Sequence, residues 1–348
     1  MKILYLYSVV MGYTIATIRN LAERGNEVHV VHWDHKQTPY QMPLMSNLFM
    51  YKRSELSVDE IKKLAKNIAP AITVISGWMD KGYMKVAKQL KSEGVPVVVG
   101  FDNQWQGTTK QRIATLLGSA GYFSQFYSHA WVAGLYQFTY ARRLGFENKN
   151  IVYDLYSADL RLFNKTYNDS IENKQNHYPH RFLFVGRFEP VKGLDVLLRA
   201  WQELDTNKGD WELHLIGSGA LRAELEATAG VVIKDFMQPE QLMQEAADAG
   251  CFLLPSRAEP WGVVVHEFAA AGLPLIVSDV VGAASTFLIS GLNGYSFKVN
   301  DHKTLADKMR QLINMTDQDL YTMAVASHAL SQRITPETSA GNLLAVVN

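Results

Sequence analysis

The chain has 348 residues, 47% apolar and 20% charged, with a formal net charge of zero. That is the composition of an ordinary globular protein long enough for two domains, and it excludes disordered and fibrous classes. A single cysteine, Cys251, excludes an internal disulfide and a cysteine-based zinc site within one chain, and no apolar run reaches the ~18 residues of a membrane span. The neutral total hides an asymmetry. Residues 1–165 hold 20 Lys/Arg and 12 Asp/Glu, a net of +8, and the remainder hold 14 and 22, a net of −8. A basic half suits an anionic partner such as a phosphorylated substrate or a lipid surface; equally, two halves of opposite sign attract each other.

In chain order, Lys2–Tyr7 reads as a buried strand and Thr14–Arg24 as a helix stopped by Gly25. Strand Glu27–His32, a third strand over Asn47–Arg53, helix Val58–Ile68 and strand Ile72–Ile75 follow. Helix Lys81–Ser92, strand Pro96–Val99, strand Ala130–Ala133 and a helix to about Leu144 complete the first half. The polar, aperiodic stretch Tyr156–His180 reads as a linker. Alternation then restarts with strands at 181–185, 211–216, 231–233, 251–254 and 274–277. Helices at 193–201, 220–228, 240–247 and 262–271 separate them, and the tail is helical from about Thr304. Thr335-Pro336 has the form of a fresh helix start, Thr as N-cap and Pro in the first turn. This alternation predicts an α/β protein of two doubly wound parallel sheets with a cleft between them.

Ligands bind at the carboxyl ends of strands in such folds, so the turns there carry the candidates. Glu259 and Glu267 flank a strand-to-helix turn, where Gly262, Val263 and Val264 offer backbone N–H groups to an anion. Arg187 and Lys192 flank a turn at another strand end and suit a diphosphate. Gly217 and Gly219 permit close backbone approach, and Gly12 does the same after the first strand. Asp102, Asn103 and Trp105 follow an apolar strand; the acid can hydrogen-bond a substrate and the indole can stack on a sugar. Each also has a plain structural reading: a tight turn, a solvated charge, a core tryptophan. His32-Trp33-Asp34-His35 resembles a metal motif but lacks a third ligand at a fitting spacing, so it reads as strand-end residues.

Taken together, these stretches resemble the GT-B glycosyltransferases, in the large retaining group called family 4 (glycosyl transferases group 1). The carriers are Val185-Gly186-Arg187 with Lys192-Gly193, Gly217-Ser218-Gly219, Glu259 with Glu267 eight positions on, Asn293-Gly294, and Leu21–Val28. The resemblance implies two Rossmann-like domains facing across a cleft. Residues 1–165 would form the acceptor side and 166–334 the nucleotide-sugar side, with a helix over 335–348 returning to the first domain. It implies a retaining hexosyl transfer from a nucleotide-diphosphate sugar, UDP favoured and GDP next, to a saccharide or lipid-linked acceptor in surface polysaccharide or glycolipid synthesis. No cofactor, metal or nucleic acid is implied. The alternatives are a catalytically weak nucleotide-sugar-binding subunit, an epimerase or a phosphorylase. By this resemblance Arg187 and Lys192 hold the diphosphate, Glu267 the ribose and Glu259 the transferred sugar. Gly12, Gly217, Gly219, Gly262, Val263 and Val264 line the nucleotide and phosphate, and Asp102 stands where the family often has a histidine. The expected place is the cytoplasm, with peripheral contact to an anionic inner membrane face left open. The apolar segment from Thr38 to Arg53 is the sequence feature that suggests such contact, against a plainer reading as a core strand and loop.

Overall fold

The structure is a computed structural model that describes residues 1–34, 43–204 and 208–347. It divides into two units: residues 1–157 with 334–348, and residues 158–333.

The first unit is built on seven parallel strands: β1 (Lys2–Tyr7), β2 (Glu27–His32), β3 (Leu48–Lys52), β4 (Ile72–Ser76), β5 (Val97–Phe101), β6 (His129–Val132) and β7 (Ile151–Val152). Their order in the sheet is β3-β2-β1-β4-β5-β6-β7. Helices α1 (Gly12–Glu23), α2 (Val58–Ile68), α3 (Lys81–Ser92), α4 (Thr109–Ser119) and α5 (Leu135–Arg143) connect them. Local chemistry sets the helix ends. Ser57 and Glu60 form a capping box at α2, and the Asp80 carboxylate caps α3 by accepting from Gly82 N at 2.8 Å and Tyr83 N at 3.1 Å. β1 is buried along Ile3–Tyr7, as a central parallel strand covered on both faces must be.

The second unit contains α6 (Leu160–Asn176), β8 (Arg181–Val185), α7 (Leu194–Leu204), β9 (Glu212–Ile216), α8 (Arg222–Glu226), β10 (Val231–Lys234) and α9 (Pro239–Ala247). It continues through β11 (Cys251–Leu254), α10 (Val263–Ala270), β12 (Leu275–Ser278), α11 (Ala284–Phe287), β13 (Gly294–Phe297), α12 (His302–Ile313) and α13 (Asp317–Ser331). Its six parallel strands run β10-β9-β8-β11-β12-β13. The final helix, α14 (Pro336–Leu344), packs on α1 in the first unit: Thr17 Oγ1 lies 3.2 Å from Ser339 Oγ, and Asn20 Nδ2 donates to Glu337 at 3.0 Å.

Three sequence expectations are corrected. The predicted linker over 156–180 is mostly helix. Leu160, Phe163, Thr166, Ser170 and Lys174 are its buried residues, a helical period carried largely by polar side chains that a hydropathy reading passes over. The Lys174 ammonium ends inside, donating to the Ala246 and Ala249 carbonyls at 3.2 and 2.8 Å, where it closes the C-terminal end of α9. The unit boundary accordingly falls after Ser157 rather than after residue 165. Finally, α4 and β13 form where no element was expected.

Part of the apolar segment before Arg53 is β3, whose Phe49 stacks on His29 at 4.8 Å between ring centres, while Leu44 is fully exposed. Its residues 38–42, like His35, lie outside those described. Among the described residues no helix is long and apolar enough to cross a membrane.

Candidate active site

The strand order of the second unit creates the site. Strand order reverses at the β8–β11 boundary, because β9 and β10 lie on one side of β8 and β11, β12 and β13 on the other, while all strands stay parallel. In such folds ligands bind in the crevice at the carboxyl ends of the strands beside such a reversal. Both main candidate stretches arise there, and the structure joins them.

The loop after β8 ends in a short turn, Pro190–Lys192, closed by Gly193 at φ +68°. A side chain at Gly193 would drive into the Pro255 carbonyl, so the loops after β8 and β11 pack backbone to backbone. From this turn the Lys192 ammonium forms an ion pair and hydrogen bond with the Glu259 carboxylate, both side chains only about 15% exposed. Ser256 Oγ donates to the same carboxylate oxygen at 3.1 Å. Main-chain bonds from Gly282 N to Glu259 O (3.1 Å) and Ala283 N to Trp261 O (2.8 Å) fix the Glu259 loop. Lys192 and Glu259 thus touch each other directly.

Arg257, in the same loop, supports this pair, and the sequence reading gave it no role. Its guanidinium donates to Pro190 O at 2.6 Å, Asp195 at 2.6 Å and Asn300 at 2.7 Å, and so clamps the turn that carries Lys192. The Arg257 hydrogen bond holds the Asp195 carboxyl below its ordinary range.

Gly262 is the N-cap of α10 at φ +89°, and Glu259 Cγ lies where a Gly262 Cβ would pass, 2.9 Å away. The first N–H groups of α10, at Val263 and Val264, have no acceptor within the helix and carry its positive dipole end. Glu267 follows Val263 by one turn and shares its face. Burial pushes the Glu267 carboxyl up to about 7, and the nearby Asp159 charge pushes the same way. Arg187 is exposed at the end of β8.

Gly217 and Gly219 have φ values of +152° and +153°. The close approach that they allow is to the chain itself, because a side chain at either would collide with the carbonyl of Gly186 or Phe188. Gly217→Ala is expected to destabilise the protein by roughly 3 kcal/mol or more, since both the backbone conformation and the neighbouring carbonyl resist a methyl group. Thermal unfolding measures this, and an unchanged midpoint contradicts it. Asn293-Gly294 is structural as well. Asn293 is buried, accepting from Ile289 N and donating to Phe287 O, each at 2.8 Å.

In the first unit, Gly12 opens α1 after β1, and Ser8 N donates to Ser76 Oγ at 2.7 Å across that sheet's own reversal point. The Asp102 carbonyl accepts from Gln137 Nε2 at 3.0 Å. Burial, with a smaller push from the Asp102 charge, raises the Tyr7 and Tyr156 phenols, and Tyr156 packs on Tyr13 at 4.5 Å. Asp102 is therefore grouped with tyrosines that sequence spacing does not reveal. One face of Trp105 is taken, since the Arg143 guanidinium lies over its ring at 4.6 Å. The His32–Asp34 stretch is structural, with Trp33 Nε1 donating to Asp80 at 2.9 Å and Asp34 accepting from Ser54 N at 3.1 Å.

Comparison with known proteins bears on the crevice of the second unit. Residues 168–325 match the family described as glycosyl transferases group 1. The group 1 match contains Arg187, Lys192, Glu259 and Glu267. An uncharacterized glycosyltransferase of Methanocaldococcus jannaschii is 33% identical over 141 residues, 38% of each chain. D-inositol 3-phosphate glycosyltransferase of Nocardia farcinica is 32% identical over 149 residues, 39% of this chain and 33% of that one. The chain thus aligns with only about two fifths or less of these relatives' length. Similarity in structure extends further. Anabaena HepE, solved in complex with UDP, superposes with a TM-score of 0.75 over 99% of both chains at 16% identity. Sucrose-phosphate synthase of Thermosynechococcus elongatus gives 0.73 over 99% of this chain and 97% of that one, at 18% identity. At these identities the likeness establishes the fold, which is GT-B, with one parallel sheet in each unit.

Proposed function

We propose that the protein is a retaining glycosyltransferase of family 4 that moves a hexose from a nucleoside diphosphate sugar to a saccharide or lipid-linked acceptor. The observation that carries this reading is the Lys192–Glu259–Ser256 cluster set beside the N-terminal end of α10. It puts a cation, a carboxylate and oriented N–H groups around one point at a strand-order reversal. Transfer breaks the bond between the sugar's anomeric carbon and the β-phosphate oxygen, and negative charge accumulates on the departing diphosphate. Lys192, Arg187 and the N–H groups of Val263 and Val264 stabilise that charge without reorganising. Glu259 contacts the transferred sugar and holds Lys192 in place. Glu267 accepts the ribose hydroxyls, and Gly217 and Gly219 border the nucleotide. In the first unit Asp102 and Gly12 belong to the acceptor and phosphate side. UDP is the favoured nucleotide, in keeping with HepE, which has been solved with UDP and with UDP-glucose. Surface polysaccharide or glycolipid synthesis is the corresponding setting.

The test is a thermal-shift screen against UDP, GDP and ADP with their sugars, followed by donor turnover. A rise in melting temperature with one nucleotide, together with release of that nucleotide when acceptor is supplied, is the expected result. Binding without hydrolysis or transfer favours a binding subunit instead. No shift with any nucleotide sinks the donor site.

Glu267 supplies a sharper prediction. A carboxylate that accepts two hydroxyls must be ionised, and this one titrates at about 7 in the free protein. UDP affinity is therefore expected to rise with pH through about 7. Glu267→Gln is expected to remove that dependence and weaken binding about tenfold or more, through loss of a charge-assisted pair of hydrogen bonds. Calorimetry at pH values either side of 7 decides it; parallel pH profiles for the two proteins overturn the assignment.

A further inference from the structure

Helix α4 is amphipathic in the wrong sense for a solvated helix. Its inward positions are Gln111, Ala114, Thr115 and Gly118, and only Gly118 is fully buried. Its outward face carries Ile113, Leu116 and Leu117, at 55, 72 and 44% exposure. These three lie at i, i+3 and i+4, so they form one apolar patch. A surface helix normally turns such residues to the core. Here the core side is closed by glycine: a Cβ on Gly118 would enter the Leu144 backbone, and one on Gly145 the Gly118 carbonyl. The small inward residues let α4 lie close to the turn after α5 and leave its large residues outside.

The charges on α4 and at the end of α5 have one sign, and Glu147, just beyond that turn, is paired with Lys149 at 3.0 Å. Lys110 and Arg112 are exposed on α4 itself, and exposed Arg142 and Arg143 end the α5 turn against which Gly118 packs. No Asp or Glu occurs anywhere between Asp102 and Glu147. A second copy of the chain meeting this face about a twofold axis would bring like charges together. A surface that is apolar inside and anionic outside matches both features at once.

We propose that the α4 face seats the protein on an anionic lipid bilayer, with Ile113, Leu116 and Leu117 entering the acyl boundary and Lys110, Arg112, Arg142 and Arg143 at the headgroups. The inference moves the membrane contact from the segment before Arg53 to α4. It does not rest on the donor site, because its test contains no sugar nucleotide.

The experiment is sedimentation of the full chain with vesicles of equimolar phosphatidylcholine and phosphatidylglycerol, and with vesicles of phosphatidylcholine alone. Binding to the anionic vesicles at low salt, and its release by high salt, is the expected result. Leu116→Gln with Leu117→Gln is expected to weaken binding about a hundredfold. Lys110→Glu with Arg112→Glu is expected to weaken it about thirtyfold or more, at roughly 1 kcal/mol for each cation lost. These side chains are exposed, so circular dichroism and melting temperature are expected to stay at wild-type values. Wild-type protein left in the supernatant at low salt overturns the proposal. So does a double variant that sediments like wild type, or a lipid-free dimer that Leu116→Gln dissociates.

Discussion

Lys192→Ala is expected to lower turnover in sugar transfer by about 10²–10³, the cost typical of deleting one preorganised donor from a site of developing negative charge. The ammonium is held by the Glu259 carboxylate, its turn is clamped by Arg257, and Ser256 donates to the same carboxylate oxygen. It needs no reorientation when the diphosphate departs. Lys192→Arg keeps the charge but replaces a compact ammonium by a larger planar fork, so it is expected to recover only part of the rate. Glu259→Ala is also expected to lower turnover, because it frees Lys192 and removes the proposed sugar contact together. The decisive measurement is the double variant. If the two residues act as one unit, its loss is close to that of the worse single variant. If the losses multiply, the pair observed at rest is not the unit used in transfer. Wild-type turnover in Lys192→Ala removes Lys192 from the chemistry altogether.

How much of this was legible in the sequence differs between strands and site. Parallel strands buried on both faces, such as Ile3–Leu6 and Cys251–Leu254, are continuous apolar runs and are read directly. Helices that bury polar or small residues are not. α6 packs through Thr166, Ser170 and Lys174, and α4 through Gly118, so neither shows the expected period. At the site, the turn residues were recognisable one loop at a time. Their pairing was not, because Lys192 and Glu259 lie on loops 67 positions apart and meet only where strand order reverses. Arg257 and Asp195 escaped for a related reason: a clamp on a carbonyl leaves no mark in side-chain spacing. His266 escaped because a lone histidine in an apolar helix reads as filling.

His266 sets up the largest expected effect on stability. It is fully buried on α10, directly before Glu267, and stacks on Phe287 at 4.1 Å. Its Nδ1 accepts from the Ala158 N–H at 3.1 Å, and its Nε2 donates to the Ser331 carbonyl at 2.8 Å. Those partners fix the ring as the neutral tautomer with hydrogen on Nε2. One imidazole thereby ties the first residue of the second unit and a residue near its last, Arg333, to α10, the helix of the proposed donor site. His266→Leu keeps the apolar volume but removes both hydrogen bonds from buried backbone groups. At about 1–3 kcal/mol for each, a loss of roughly 2–6 kcal/mol is expected. The pH dependence separates this role from simple packing. Burial lowers His266 to about 4 from its ordinary 6.5. Between those values the unfolded chain binds the extra proton, so the contribution is full above pH 6.5 and is lost as pH falls towards 4. The difference in unfolding free energy between wild type and His266→Leu is therefore expected to shrink by roughly 3 kcal/mol over that window. Glu267 works in the opposite direction. Its folded value of about 7 lies above the ordinary 4.5, so its contribution is full below 4.5 and is lost as pH rises through 7. In wild type the two slopes oppose each other between about pH 4.5 and 6.5. His266→Leu should uncover the Glu267 slope, giving stability that falls as pH rises across that range. Denaturant unfolding at several pH values reads both quantities. A difference that stays constant with pH would mean that the His266 ring only fills space.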